Sequence, residues 1–131
     1  MRLAIIFAVI VLICLVVPWH RTSDRGFPPE TAALRSIQTI HTAEMQYYSQ
    51  YGRYAVSLAE LGPPAGGLAS ETAADLIGND LANGVKQGYR FNIAGNAGGY
   101  VVHANPVKYG NKSFYSDQAL IIRENKGGRS R

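Results

Sequence analysis

Residues Thr31–Gly52 read TAALRSIQTIHTAEMQYYSQYG, and the spacing within this stretch decides the fold. Ala33, Ile37, Ile40, Glu44, Tyr48 and Tyr51 stand three or four positions apart, so they share one face of an α-helix. Arg35, Gln38, Thr39, Thr42, Gln46, Ser49 and Gln50 make the opposite face polar. A helix patterned in this way lies on an apolar surface and turns its other side to water. Gly52 follows as a candidate left-handed C-terminal stop, and Pro28-Pro29 pre-set the first turn, so the helix is expected from near Pro28 or Pro29 to Tyr51. Glu44 interrupts the apolar stripe.

Downstream, Ser57-Leu58-Ala59-Glu60 is a capping box that opens a short helix through Leu61. Gly62–Gly67 stops it in a Pro/Gly loop, and Ser70 is placed to cap another short helix carrying Ala73, Leu76 and Ile77. After Gly84 the period changes to two. Tyr89–Ile93 alternates and Ala94–Gly99 is a hairpin loop. Tyr100–Ala104 is a second strand, Ser113–Ser116 a third and Ala119–Arg123 a fourth, with Asp117-Gln118 as the last turn. No helix separates these strands, so an antiparallel meander is expected. Its apolar face needs cover, and the Thr31–Tyr51 helix is the only long element to supply it. Tyr89, Phe91, Ile93, Val102 and Leu120 or Ile122 are expected to meet Ile37, Ile40, Tyr48 and Tyr51.

Upstream, Leu3–Trp19 is apolar almost without interruption and is near the lower limit for spanning a bilayer. No A-x-A cleavage pattern follows, so residues 1–19 are expected to be a transmembrane anchor or uncleaved signal, with Trp19 at the interface. A single pass through the inner membrane would place the domain on the extracytoplasmic side. Residues 20–30 read as a linker, 31–124 as one α+β domain and 125–131 as a basic disordered tail. The single cysteine, Cys14, lies in the apolar run, which excludes an internal disulfide and a cysteine metal site. The net charge of +4 is scattered along the chain, which argues against a nucleic-acid partner.

Glu44 admits two roles. As a general acid or base it would need a nucleophile or second carboxylate, and no sequence pattern places one near it. As a structural clamp it would accept hydrogen bonds from loop amides, a tyrosine hydroxyl or Arg90, and the clamp is the reading adopted. Asp117 is expected to bond the backbone of its own turn. Tyr47 and Tyr109 are expected to form an amphipathic interaction surface. His20, His41 and His103 lack the spacing of a zinc helix, His103 is expected on the solvent side of the sheet, and no cofactor or metal is expected. Gly95–Gly99 joins two strands and opens no helix, so it is a turn and not a phosphate loop.

The order of these elements resembles the type IV pilins and the pseudopilins of type II secretion. Ala33–Ile40, Thr42-Ala43-Glu44 and Tyr48–Gly52 resemble the soluble half of the pilin helix. Leu58–Gly62, Gly88–Phe91 and Ser113–Asp117 are similar to later parts of that family. The resemblance spans Ala33 to Arg123. It implies a transmembrane segment followed by a long helix packed on a four-stranded antiparallel sheet. It also implies a non-enzymatic subunit acting by protein–protein interaction, with other pilin-like or secretion-system subunits as partners. The N-terminus departs from the pattern, because Leu3–Trp19 holds no leader glycine and no glutamate. In Gly26-Phe27…Glu30 the glutamate is one position early and Pro28-Pro29 intervenes. The alternative is a stand-alone anchored binding module built on the same head fold.

Overall fold

The computed structural model describes residues 27–108 and 110–126. Helix α1 runs Pro29–Tyr51, with Pro29 in its first turn and Ala32 N–H bonded to Pro28 O at 3.1 Å. Pro29 and Glu30 therefore belong to the helix and not to the linker. Gly52 ends it at φ 70°, its N–H bonded to Tyr48 O at 2.8 Å. A residue with a Cβ would be strained there. Two short helices follow, α2 (Leu58–Leu61) and α3 (Asn79–Ala82). The strands are β1 (Val85–Lys86), β2 (Tyr89–Asn96), β3 (Gly99–Pro106), β4 (Lys112–Asp117) and β5 (Arg123–Lys126). They form one antiparallel sheet in the order β1-β2-β3-β4-β5.

The expected four strands become five. β1 is only two residues long and turns back through Gln87 (φ 49°) and Gly88, pairing Lys86 with Tyr89. Two residues are too few to display a period. The last strand also begins later than expected. Leu120 adopts φ 63° and pairing resumes only at Arg123 opposite Tyr115, so Ala119–Ile122 is turn and irregular chain. β5 takes in Asn125 and Lys126, so the strand reaches into the expected tail. Ser70 does not start a helix. It forms an isolated bridge with Ala73, while Ala74, Leu76 and Ile77 bond back to Glu60 and Leu61 carbonyls.

Among the described residues no helix is long and apolar enough to cross a membrane. The expected single-pass inner-membrane placement is therefore withdrawn. The Leu3–Trp19 run on which it rested lies outside the described residues.

α1 lies across β3 and β4. Ala33, Ile37, Ile40, Ala43 and Tyr47 meet Tyr89, Phe91, Ile93, Tyr100, Val102, Ala104 and Phe114 in one core, closed on one side by Ala55, Leu58, Leu61, Ile77 and Leu81. Burying each large side chain of this set contributes about 1.5–3 kcal/mol. Tyr47, expected on the surface, is fully buried, and Tyr48, expected in the core, is 46% exposed. Both lie an allowed helical step beyond Glu44, three and four residues on. The choice falls to Tyr47 because its hydroxyl finds an acceptor inside. Leu120 is also exposed and Ile122 only partly buried.

The connector after α1 crosses the sheet closely. A Cβ on Gly95 would stand 2.1 Å from Ala55 O, so β2 needs a glycine where this segment passes.

Candidate functional site

The buried face of α1 carries three polar residues besides Tyr47, namely Ser36, His41 and Glu44. Buried polar groups require partners, and the partners define three attachment points along the helix.

His41 is the attachment to the sheet. Its Nδ1 lies 2.5 Å from Tyr100 Oη and its Nε2 lies 2.7 Å from Ser116 Oγ. Ser116 Oγ donates to Ile121 O at 3.0 Å. That donation uses the only hydroxyl hydrogen of Ser116, so Ser116 accepts from His41 Nε2–H. Nδ1 then accepts from Tyr100. This assignment describes a neutral imidazole, and burial does lower the pKa of His41, with Asp117 opposing. Burial raises the Tyr100 hydroxyl, and Glu44 adds to that shift.

Glu44 is the attachment to the connector. It is wholly inaccessible, and its Oε2 accepts from Ala55 N–H at 2.9 Å. Of the partners expected for a clamp, a loop amide is the one found. Oε1 has no hydrogen-bond partner among the described residues.

Tyr47 is the attachment to the Pro/Gly loop. Its hydroxyl donates to Glu71 O at 2.7 Å, and burial pushes it up to about 12. Arg53 lies 5.3 Å from the centre of the Tyr47 ring. Its guanidinium donates to Glu71 Oε1 at 2.7 Å, to Glu60 Oε2 at 3.2 Å and to Tyr54 O at 3.1 Å. Glu60 Oε2 also accepts from Val56 N–H. Burial alone would raise the Glu60 carboxyl, but Val56 N–H and Arg53 together hold it below its ordinary value. The capping box is thus stretched by one residue. Ser57 Oγ accepts from Glu60 N–H, while the Glu60 side chain reaches back past Ser57 to Val56.

Histidine beside serine suggests a base and nucleophile, but the hydrogen bonds run the wrong way. His41 donates to Ser116, Ser116 gives its proton to a carbonyl, and Ser116 is 1% exposed. Among the described residues no group of three or more His, Cys, Asp or Glu could hold a metal ion. On the solvent face of the sheet, His103 and Tyr115 stack at 6.4 Å beside Asn105, Ser113 and Asn125 in an open groove of about 400 Å³.

Asp117 shapes an exposed tip. Its Oδ1 accepts from Ala119 N–H and its carbonyl from Leu120 N–H, both at 2.9 Å. The turn leaves Leu120 48% and Ile121 56% exposed, while Ser116 fixes the Ile121 carbonyl from below.

Glu44 and Asp117 thus sit where local contacts explain them, Tyr47 is internal and Tyr109 lies outside the described residues. Tyr100, His41 and Ser116 went unrecognised as a group. Ser116 carried a signal, since it alternates with Phe114 and so faces inward with it.

Comparison with protein families, with curated proteins and with solved structures finds no match.

Proposed function

We propose that this chain is a pilin-like or pseudopilin-like head domain that works by protein–protein contact, as a subunit of a type IV pilus or type II secretion assembly. Three features support the reading. The first is the ordered resemblance along Ala33–Arg123. The second is a long helix laid on an antiparallel meander. The third, which carries the interaction role, is the Leu120–Ile121 tip. Two large apolar side chains are turned to solvent on a backbone pinned by Asp117 and Ser116. A leucine at positive φ is unfavourable, and strained conformations of this kind concentrate at functional sites such as ligand clamps and switch regions.

The test is co-purification with pilus or secretion components from cells that carry such an assembly, comparing the natural chain with Ile121→Glu. Ile121 is exposed, so the variant keeps its melting temperature. Recovery of those components with the natural chain and a drop of at least about tenfold with the variant is expected. Equal recovery from both chains removes the tip from the reading. Saturable turnover of a small molecule that Glu44→Gln abolishes would replace the whole reading with an enzymatic one.

A further inference from the structure

Among the described residues no cation forms an ion pair with Glu44. On its own helix, His41 lies one turn back and is held neutral between Tyr100 and Ser116, and Tyr47 is a buried phenol. From the connector, the Arg53 charge favours ionising Glu44, but the guanidinium bonds Glu60 and Glu71 and not Glu44, and burial outweighs it. From α2, Glu60 adds a second negative charge that disfavours ionising Glu44. From β3, Tyr100 contributes a phenol whose own ionisation is opposed by Glu44. The carboxyl is fully buried with one backbone hydrogen bond on Oε2 and none on Oε1. A charge left this poorly solvated is costly, and a carboxyl in such a place retains its proton instead.

We propose that Glu44 is a neutral carboxylic acid in the folded protein, and that losing its proton to solvent opens the Arg53–Val56 connector to hydrate the carboxylate. The group is then a proton-operated latch between the helix and the loop region. Burial, set against the Ala55 hydrogen bond, pushes this carboxyl up to about 7, which puts the change near neutrality. A carboxyl raised on folding contributes stability that is complete below its ordinary value and is lost as pH rises through the folded one. The latch is closed in mildly acidic surroundings and released in alkaline ones. The inference is independent of the pilin-like reading, because it concerns a contact inside the domain.

Two measurements on the whole chain test it. The first follows the Glu44 side-chain carboxyl carbon by NMR against pH. The expected midpoint lies near 7, and a midpoint at the ordinary glutamate value overturns the proposal. The second follows hydrogen exchange of the Ala55 amide, corrected for its intrinsic pH dependence, in the natural chain and in Glu44→Gln. Protection in the natural chain is expected to fall by up to about tenfold per pH unit on passing to pH 8, while the variant stays flat. A natural chain that stays flat, or an equal fall in both chains, overturns the proposal. Should Glu44→Gln not fold, the carbon titration of the natural chain decides alone.

Discussion

Ser116 serves two neighbours at once. Its hydroxyl takes the His41 Nε2–H and gives its own hydrogen to Ile121 O, so one small side chain joins the helix to the exposed tip. Ser116→Ala removes only one oxygen but strands the buried His41 Nε2–H, and a buried unsatisfied group costs about 1–3 kcal/mol. The expected loss is about 2 kcal/mol or more in urea unfolding, with little change in the denaturant slope. A loss under about 0.5 kcal/mol would mean that water replaces the hydroxyl without penalty. At this scale the sequence was legible where a residue contradicted its own pattern. Glu44 stood in an apolar stripe and Asp117 preceded a turn, and both signals are local. Tyr47 and Tyr48 were not separable by the same logic, since each continues the stripe at an allowed helical step. What distinguishes them is Glu71 O, which is 24 residues away and invisible to periodicity.

At the scale of elements, the Ala119–Ile122 segment shows the same limit. Four consecutive apolar residues, two of them β-branched, favour a strand. The Asp117 turn and the Leu120 conformation instead hold the segment out of the sheet, and pairing starts at Arg123. Replacing Leu120 with glycine relieves a left-handed conformation worth about 1–2 kcal/mol. It adds about 0.5–1 kcal/mol of backbone entropy to the unfolded chain. Because the lost side chain is half exposed, Leu120→Gly is expected to keep or slightly raise the melting temperature. On the proposed function it weakens partner recovery, so stability and binding move in opposite directions. A clear fall in melting temperature would instead make Leu120 a contributor to the core. The helix α1 and strands β2 to β4 were legible because each is long enough to show its period. β1 was not, since Val85-Lys86 shows none, although Gln87-Gly88 directly before an alternating run is a turn signal that could have revealed it.

Across the whole molecule, two buried groups titrate against each other. Burial lowers the His41 pKa, so its contribution to stability is complete above the ordinary histidine value and is lost as pH falls through the folded one. Glu44 acts with the opposite sign between its ordinary value and about 7. Where the two ranges overlap the slopes oppose each other, so each group offsets part of the other's pH dependence. His41→Gln keeps a donor and an acceptor but cannot protonate. Its urea midpoint is expected to hold at acid pH where that of the natural chain declines, and parallel acid limbs in the two proteins would place that limb elsewhere. The domain as a helix on a meander was legible in the sequence because every strand pairs with its neighbour in the chain. The polar connections through the core were not, because they join residues far apart in sequence.

Those distances fix an order of events during synthesis. His41 bonds Tyr100 and Ser116, which are 59 and 75 positions further along the chain. At translation rates of about 5–20 residues per second, the gap to Ser116 lasts roughly 4–15 s. Throughout that interval α1 is already made, while the sheet it rests on is incomplete. Its apolar face, with an imidazole and a carboxyl still in water, is open to any chaperone that binds amphipathic helices. The element that becomes the spine of the folded domain is therefore the nascent chain's first exposed liability, and its final fit waits on the last strands to emerge.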